Sequence, residues 1–222
     1  MAANVQRYNR DDLWAALEDP DVNVRGDAII ELGELGDARA VQPCIDALHD
    51  VDEAVRRHAA CALGNFGDRR AVMPLVAALS DKGMEVSWGA ARSLGKLGDK
   101  RAVEPLIDLL NPGIDMYTRQ EAAQSLGTLG DDRALQPLLR ALTDKDKYIR
   151  RAAATALGEL GNAQALPALI AAERQDHIAT NRTGRQGIWE AAAQAIARIE
   201  TRYTDIHSGE HRGQQGDIDG EG

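Results

Sequence analysis

A chain of 222 residues with a formal charge of -9 is poorly suited to neutralising phosphates, and this weighs against nucleic-acid binding. Its 44% hydrophobic content is carried mostly by Ala and Leu with only 4% aromatics, and those two residues lead the helix propensities, which points to an all-α protein. No apolar run approaches the roughly 18 residues of a membrane span. The opening MAANVQRYNRDD is too polar for a signal peptide's apolar segment, so a cytoplasmic location is expected. Cys44 and Cys61 fall in no CxxC or Cys/His ligand spacing and read as reduced thiols.

In chain order, RDDLWAALE (10–18) reads as a lone capping helix. LGELGDARAVQP then begins at Leu32 and returns in close variants at Leu63, Leu94, Leu126 and Leu157, in steps of 31, 31, 32 and 31 residues. A period this regular means stacked copies of one supersecondary unit, an α-solenoid of about five to six helical hairpins. The repeats fall at about 21–50, 51–81, 82–113, 114–144 and 145–176.

In the first repeat Val24, Ala28, Leu32 and Leu35 mark one face of an amphipathic helix, termed A. Asp21 or its neighbour caps its start, and Gly36 takes the left-handed position that ends it. Asp37, with Asp68, Asp99, Asp131 and Asn162 in the later copies, is placed to accept hydrogen bonds from the next helix, termed B. Helix B carries Val41, Cys44, Ile45 and Leu48, and its start lies between Ala38 and Pro43. The first glycine of each pair (Gly33, Gly64, Gly95, Gly127, Gly158) sits inside a helix at a cost of about 1 kcal/mol, which suggests close approach of another backbone. Arg25, Arg56, Arg119 and Arg150 stand beside Asp21, Asp52, Asp115 and Asp146 and read as an inter-repeat ion-pair ladder; the third repeat departs with Val86-Ser87-Trp88.

After the fifth repeat, ERQDHIATNRTGR makes an expected long loop at 173–187. IWEAAAQAIARIE matches an A helix and predicts a second cap at about 187–202. Residues 203–222, polar and Gly-rich, are expected to be a disordered tail, with five acids against Arg212.

The LGxLGD copies and the Val/Thr/Ile-Arg pairs resemble HEAT repeats of the phycobilisome-lyase type, also called E-Z HEAT. The resemblance covers about residues 10–200. It implies a right-handed superhelix with B helices on the concave side. The family's di-iron hydroxylases place His-Glu pairs on A helices; here His58 lacks the Glu and Glu121 lacks the His, so no metal site carries over. No cofactor is expected. DNA glycosylases of similar repeats need a basic groove, whereas the outward B positions here are polar to mildly acidic.

One patch stands out. Met84, Met116, Tyr117 and Tyr148 lie where A helices begin, with Trp88 one turn into the third. The composition favours an interface. The competing reading tucks Trp88 into the inter-repeat core and leaves the tyrosines as ridge residues. The resulting expectation is a scaffold or adaptor that holds a partner protein with this edge and the concave face, including Met73, Asp108 and Arg140. The alternative from the resemblance is a bilin lyase-like or phycobilisome-associated factor acting on a phycobiliprotein.

Overall fold

A computed structural model describes residues 10–183 and 189–213. Outside these lie residues 1–9, residues 184–188, which hold the end of the expected long loop (to 187) and the start of the expected second cap, and residues 214–222 of the expected tail. The described residues are helical and turn-like, with no strand among them. They divide into two compact units, one ending at Ser125 and the second beginning at Leu126.

A short helix α1 (Arg10–Ala16) comes first. The five A helices are α2 (Val22–Leu35), α4 (Glu53–Phe66), α6 (Met84–Leu97), α8 (Met116–Leu129) and α10 (Lys147–Leu160), each of 14 residues. The B helices are α3 (Val41–Ala47), α5 (Val72–Ala78), α7 (Val103–Asp108), α9 (Leu135–Ala141) and α11 (Leu166–Thr183), and α12 (Trp189–Gly213) closes the order. This is an all-α solenoid fold of repeated hairpins. Helix α11 runs on to Thr183, so most of the stretch expected as a loop is helix. Likewise α12 reaches Gly213, so residues 203–213, expected as the first half of a disordered tail, are helix.

Each A helix stops for the reason the sequence gives. Gly36 adopts φ 65°, and its N–H donates to the Leu32 carbonyl at 3.2 Å. Asp37 then accepts from the Arg39 backbone N–H at 3.0 Å, but it caps a single 3-10 turn, Ala38–Ala40. Helix B proper begins only at Val41, which puts Pro43 in its first turn, where a missing N–H costs little. Leu35, placed on the buried face by its spacing, remains 40% exposed in the last turn of α2.

The inner glycines are seats for the next A helix. A Cβ on Gly64 would lie 2.9 Å from the Ser93 Cα, and one on Gly158 would lie 2.7 Å from the Ala195 Cα. Gly33 faces Ala62, Gly95 faces Ser125 and Gly127 faces Ala156 in the same manner. At two of these seats the small residue is serine, and its hydroxyl donates back across the junction: Ser93 Oγ to the Ala60 carbonyl at 2.7 Å, Ser125 Oγ to the Ala91 carbonyl at 2.9 Å. Both hydroxyls are buried, so each would be costly to leave unpaired.

Two of the four expected ladder arginines, Arg25 and Arg56, form ion pairs with partners different from those the sequence suggests, while Arg119 donates to the Leu110 carbonyl and Arg150 to the carbonyls of Asp144 and Lys145. Arg25 makes a bidentate pair with Asp50, Nε to Oδ2 at 2.9 Å and Nη2 to Oδ1 at 3.0 Å, and its Nη1 donates to the carbonyls of Asp19 and Pro20. Arg56 repeats this with Asp81 at 2.8 and 3.0 Å, and with the carbonyls of Asp50 and Val51. Each guanidinium therefore ties the loop before its hairpin to the loop after it. Asp21 and Asp52 instead cap α2 and α4, accepting from the N–H groups of Asn23 and Ala54. A carboxylate four residues before the arginine is committed to the helix start, which leaves the fork to the carboxylate 25 residues later. Burial pushes Asp81 up, but the Arg56 hydrogen bond, the Gly83 N–H and the nearby cations hold it below its ordinary value.

Candidate protein-interaction surface

In the first unit Met84 opens α6 and is 64% exposed, and Tyr117, second in α8, is 66% exposed; Met116 before it is half-buried. Trp88 follows Met84 by four residues, so the two share a helix face. Trp88 is not tucked fully into the inter-repeat core. It is half-buried, the Arg92 guanidinium lies 5.4 Å from its ring centroid, and its indole N–H donates to Glu121. Burial pushes the Glu121 carboxyl up, against the Arg92 charge, the indole hydrogen bond and the Lys96 charge. The ring is thus held in a fixed pose with one part open to solvent. Glu121 was missed as its partner because the two lie on different helices; its position just over one period after Trp88 was the available signal.

On the B helices of this unit Met73 is 54% exposed and Asp108 is exposed. Helices α3, α5 and α7 carry Asp46, Glu104 and Asp108 and not one Lys or Arg. In the second unit Tyr148 is 48% exposed with the Lys147 ammonium 5.0 Å from its ring centroid, and Arg140 is exposed on α9. That unit also has an open groove of about 650 Å³ beside its two glycine seats, lined by Gly127, Gly158, Glu159, Arg198 and Arg202.

Among the described residues no group of three or more His, Cys, Asp or Glu side chains stands close enough to hold a metal ion. His58 Nε2 lies 2.7 Å from Arg57 Nη2, and burial together with that cation lowers its pKa. Cys44 is buried and its thiol is pushed up to about 12; Cys61 is raised for the same reason, and both are free. No helix among the described residues is long and apolar enough to cross a membrane.

Paired helices repeated in sequence, seated glycine against small residue, define an α-helical repeat protein. The family model for HEAT repeats matches residues 10–72, 41–115 and 114–197, and the chain belongs to that family. Among solved structures it is similar to the complex of CpcE and CpcF of phycocyanin lyase from Nostoc sp. PCC7120, with 23% identity, 90% of this chain and 97% of that chain covered, and a TM-score of 0.57. An engineered protein matches with 23% identity over 86% of this chain and 96% of that one, TM-score 0.60. A computationally designed armadillo repeat protein for modular peptide recognition matches with 18% identity over 85% and 98%, TM-score 0.54. A search of the curated proteins returned no match.

Proposed function

We propose that this protein is a binding scaffold, working in the cytoplasm, that holds a partner protein through its B-helix faces and the starts of its A helices. The observation that carries the reading is the set Met84, Trp88 and Tyr117: a ring fixed by Arg92 and Glu121, with exposed Met84 one turn before Trp88 on α6 and exposed Tyr117 one turn before Glu121 on α8. An aromatic held in place before binding loses little freedom on contact, which is how interface anchors gain affinity. Met116, Met73 and Asp108 extend this surface, and Tyr148 and Arg140 supply like positions in the second unit. Two free thiols, Cys44 buried and Cys61 half-buried, fit a reducing compartment. Trp88→Ala combined with Tyr117→Ala is expected to abolish partner capture from native lysate while the far-UV helical spectrum is kept. Unaltered capture sinks the reading.

A second reading is supported by the likeness to the CpcE–CpcF lyase complex, whose chain this one matches along nearly its full length. In it the partner is a phycobiliprotein and the activity is bilin attachment, removal or isomerisation. Mixing the purified protein with a linear tetrapyrrole should then shift and sharpen the visible absorbance; a flat spectrum removes this reading and leaves the scaffold.

A further inference from the structure

Beyond the Trp88 edge, the first unit has a groove of about 450 Å³ between the end of α1 and α3. Its apolar lining comes from Trp14, Leu17, Pro43, Ala47 and Val55 of α4, and its polar lining from Glu18, Asp46, His49 and Asp50. Among the described side chains two cations approach it, and both are already matched. Arg25 is forked onto Asp50 at 2.9 Å, and Arg39 lies 5.3 Å from the Trp14 ring centroid while paired with Asp37 at 2.6 Å. Glu18 and Asp46 are exposed, and Asp46 accepts from the neutral Gln42 amide at 2.9 Å. Among the described residues neither carboxylate is paired with a cation.

Continuing along the same series of helices, α5 adds no charge, and α7 adds only Glu104 and Asp108. Apart from Arg10 at the start of α1, the described basic residues of this unit sit on the A helices, as Arg56, Arg92 and Arg119 do, and in the corners, as Arg39, Arg70 and Arg101 do. A face with one sign of charge and an aromatic-lined groove at its start suits a chain whose alkyl stems need apolar contact and whose heads need carboxylates.

We infer that the α1–α3 groove docks a lysine- or arginine-bearing extended segment of the partner protein, with one cationic side chain lying along Trp14 and Leu17 and its head group between Glu18 and Asp46. This rests on the scaffold reading and gives its partner a chemistry. The occupant is a peptide segment, because a groove followed by further acids on α7 rewards a chain that presents cations at intervals. A free polyamine would need only the acids.

The test is fluorescence anisotropy of a labelled hexa-arginine peptide with the full-length protein, repeated with a hexaglutamate peptide and with spermine as competitor. Binding of hexa-arginine, none of hexaglutamate, and affinity falling about fivefold to tenfold in the Glu18→Gln, Asp46→Asn double variant support the inference; two rim contacts to a charged ligand have about that worth. Trp14→Leu should weaken the peptide and leave spermine unchanged. Equal affinity in the wild type and the double variant overturns the inference, as does spermine binding that is equally tight and equally sensitive to Trp14→Leu. Because the edge variants at Trp88 and Tyr117 are read by partner capture, the groove can fail here while the scaffold reading stands.

Discussion

Repeats one and two bind their flanking loops with an arginine, and repeat three does without one. The difference is not confined to a single position. Where Arg25 and Arg56 find Asp50 and Asp81, 25 residues on, Ser87 would find Pro112, in the junction that carries the extra residue of the period. Ser87 Oγ keeps only the fragment of the clamp it can reach, the Asp81 carbonyl at 3.3 Å, six residues back, as Arg25 reaches Asp19 and Arg56 reaches Asp50. Fork and carboxylate have gone together, and the helix that lost them carries Met84 and Trp88. The framework is held by pairs, and where a pair is absent the surface has acquired a different residue set.

The most damaging change to this arrangement is expected where repeats two and three meet. Gly64→Val pushes branched carbons into the Ser93 backbone and should cost about 3 kcal/mol in urea unfolding, more than any loss of a charge pair. Next comes the clamp itself. Arg56→Ala leaves Asp81 without its fork and should cost about 2 kcal/mol at pH 7. Since Asp81 is held below its ordinary 3.8 in the folded state, its contribution is present above that pH and lost as pH falls through the lower folded value. The stability gap between wild type and Arg56→Ala should therefore close in acid, and a gap unchanged down to pH 2 would assign the loss to packing alone. The smallest effect sharpens the comparison by supplying what repeat three lacks. Ser87→Arg alone places a cation at a buried position with only carbonyls to meet it and should destabilise by about 1–2 kcal/mol; adding Pro112→Asp should recover most of that loss.

Much of this frame is legible in the residues because its signals are local and repeated. The five leucine-glycine copies give the hairpin count, Gly36 and its successors give the A-helix ends, and the interior glycines give the close contacts that Ser93, Ser125 and Ala195 make. At Arg25 and Arg56 two aspartates compete for the guanidinium, and sequence distance favours the one that the helix start has already claimed. The start of helix B is not legible in the residues because a 3-10 turn, set by Asp37, precedes the α-helix without a break in composition. At the candidate surface, exposure of Met84 and Tyr117 follows from their place in the first turn, whereas the hold on Trp88 depends on Glu121, a residue on another helix. Residues 173–183 looked loop-like for their polarity, yet they contain neither Gly nor Pro to stop α11.

The glycine seats have a consequence for how such a chain can change over generations. Every seat asks the same thing of its neighbour, a residue no larger than serine, so a hairpin duplicated or deleted whole leaves each survivor with an acceptable mate. A deletion of half a hairpin does not, since it brings a bulky residue to a slot cut for alanine. Length is therefore free to vary in whole steps while the joint between steps is fixed.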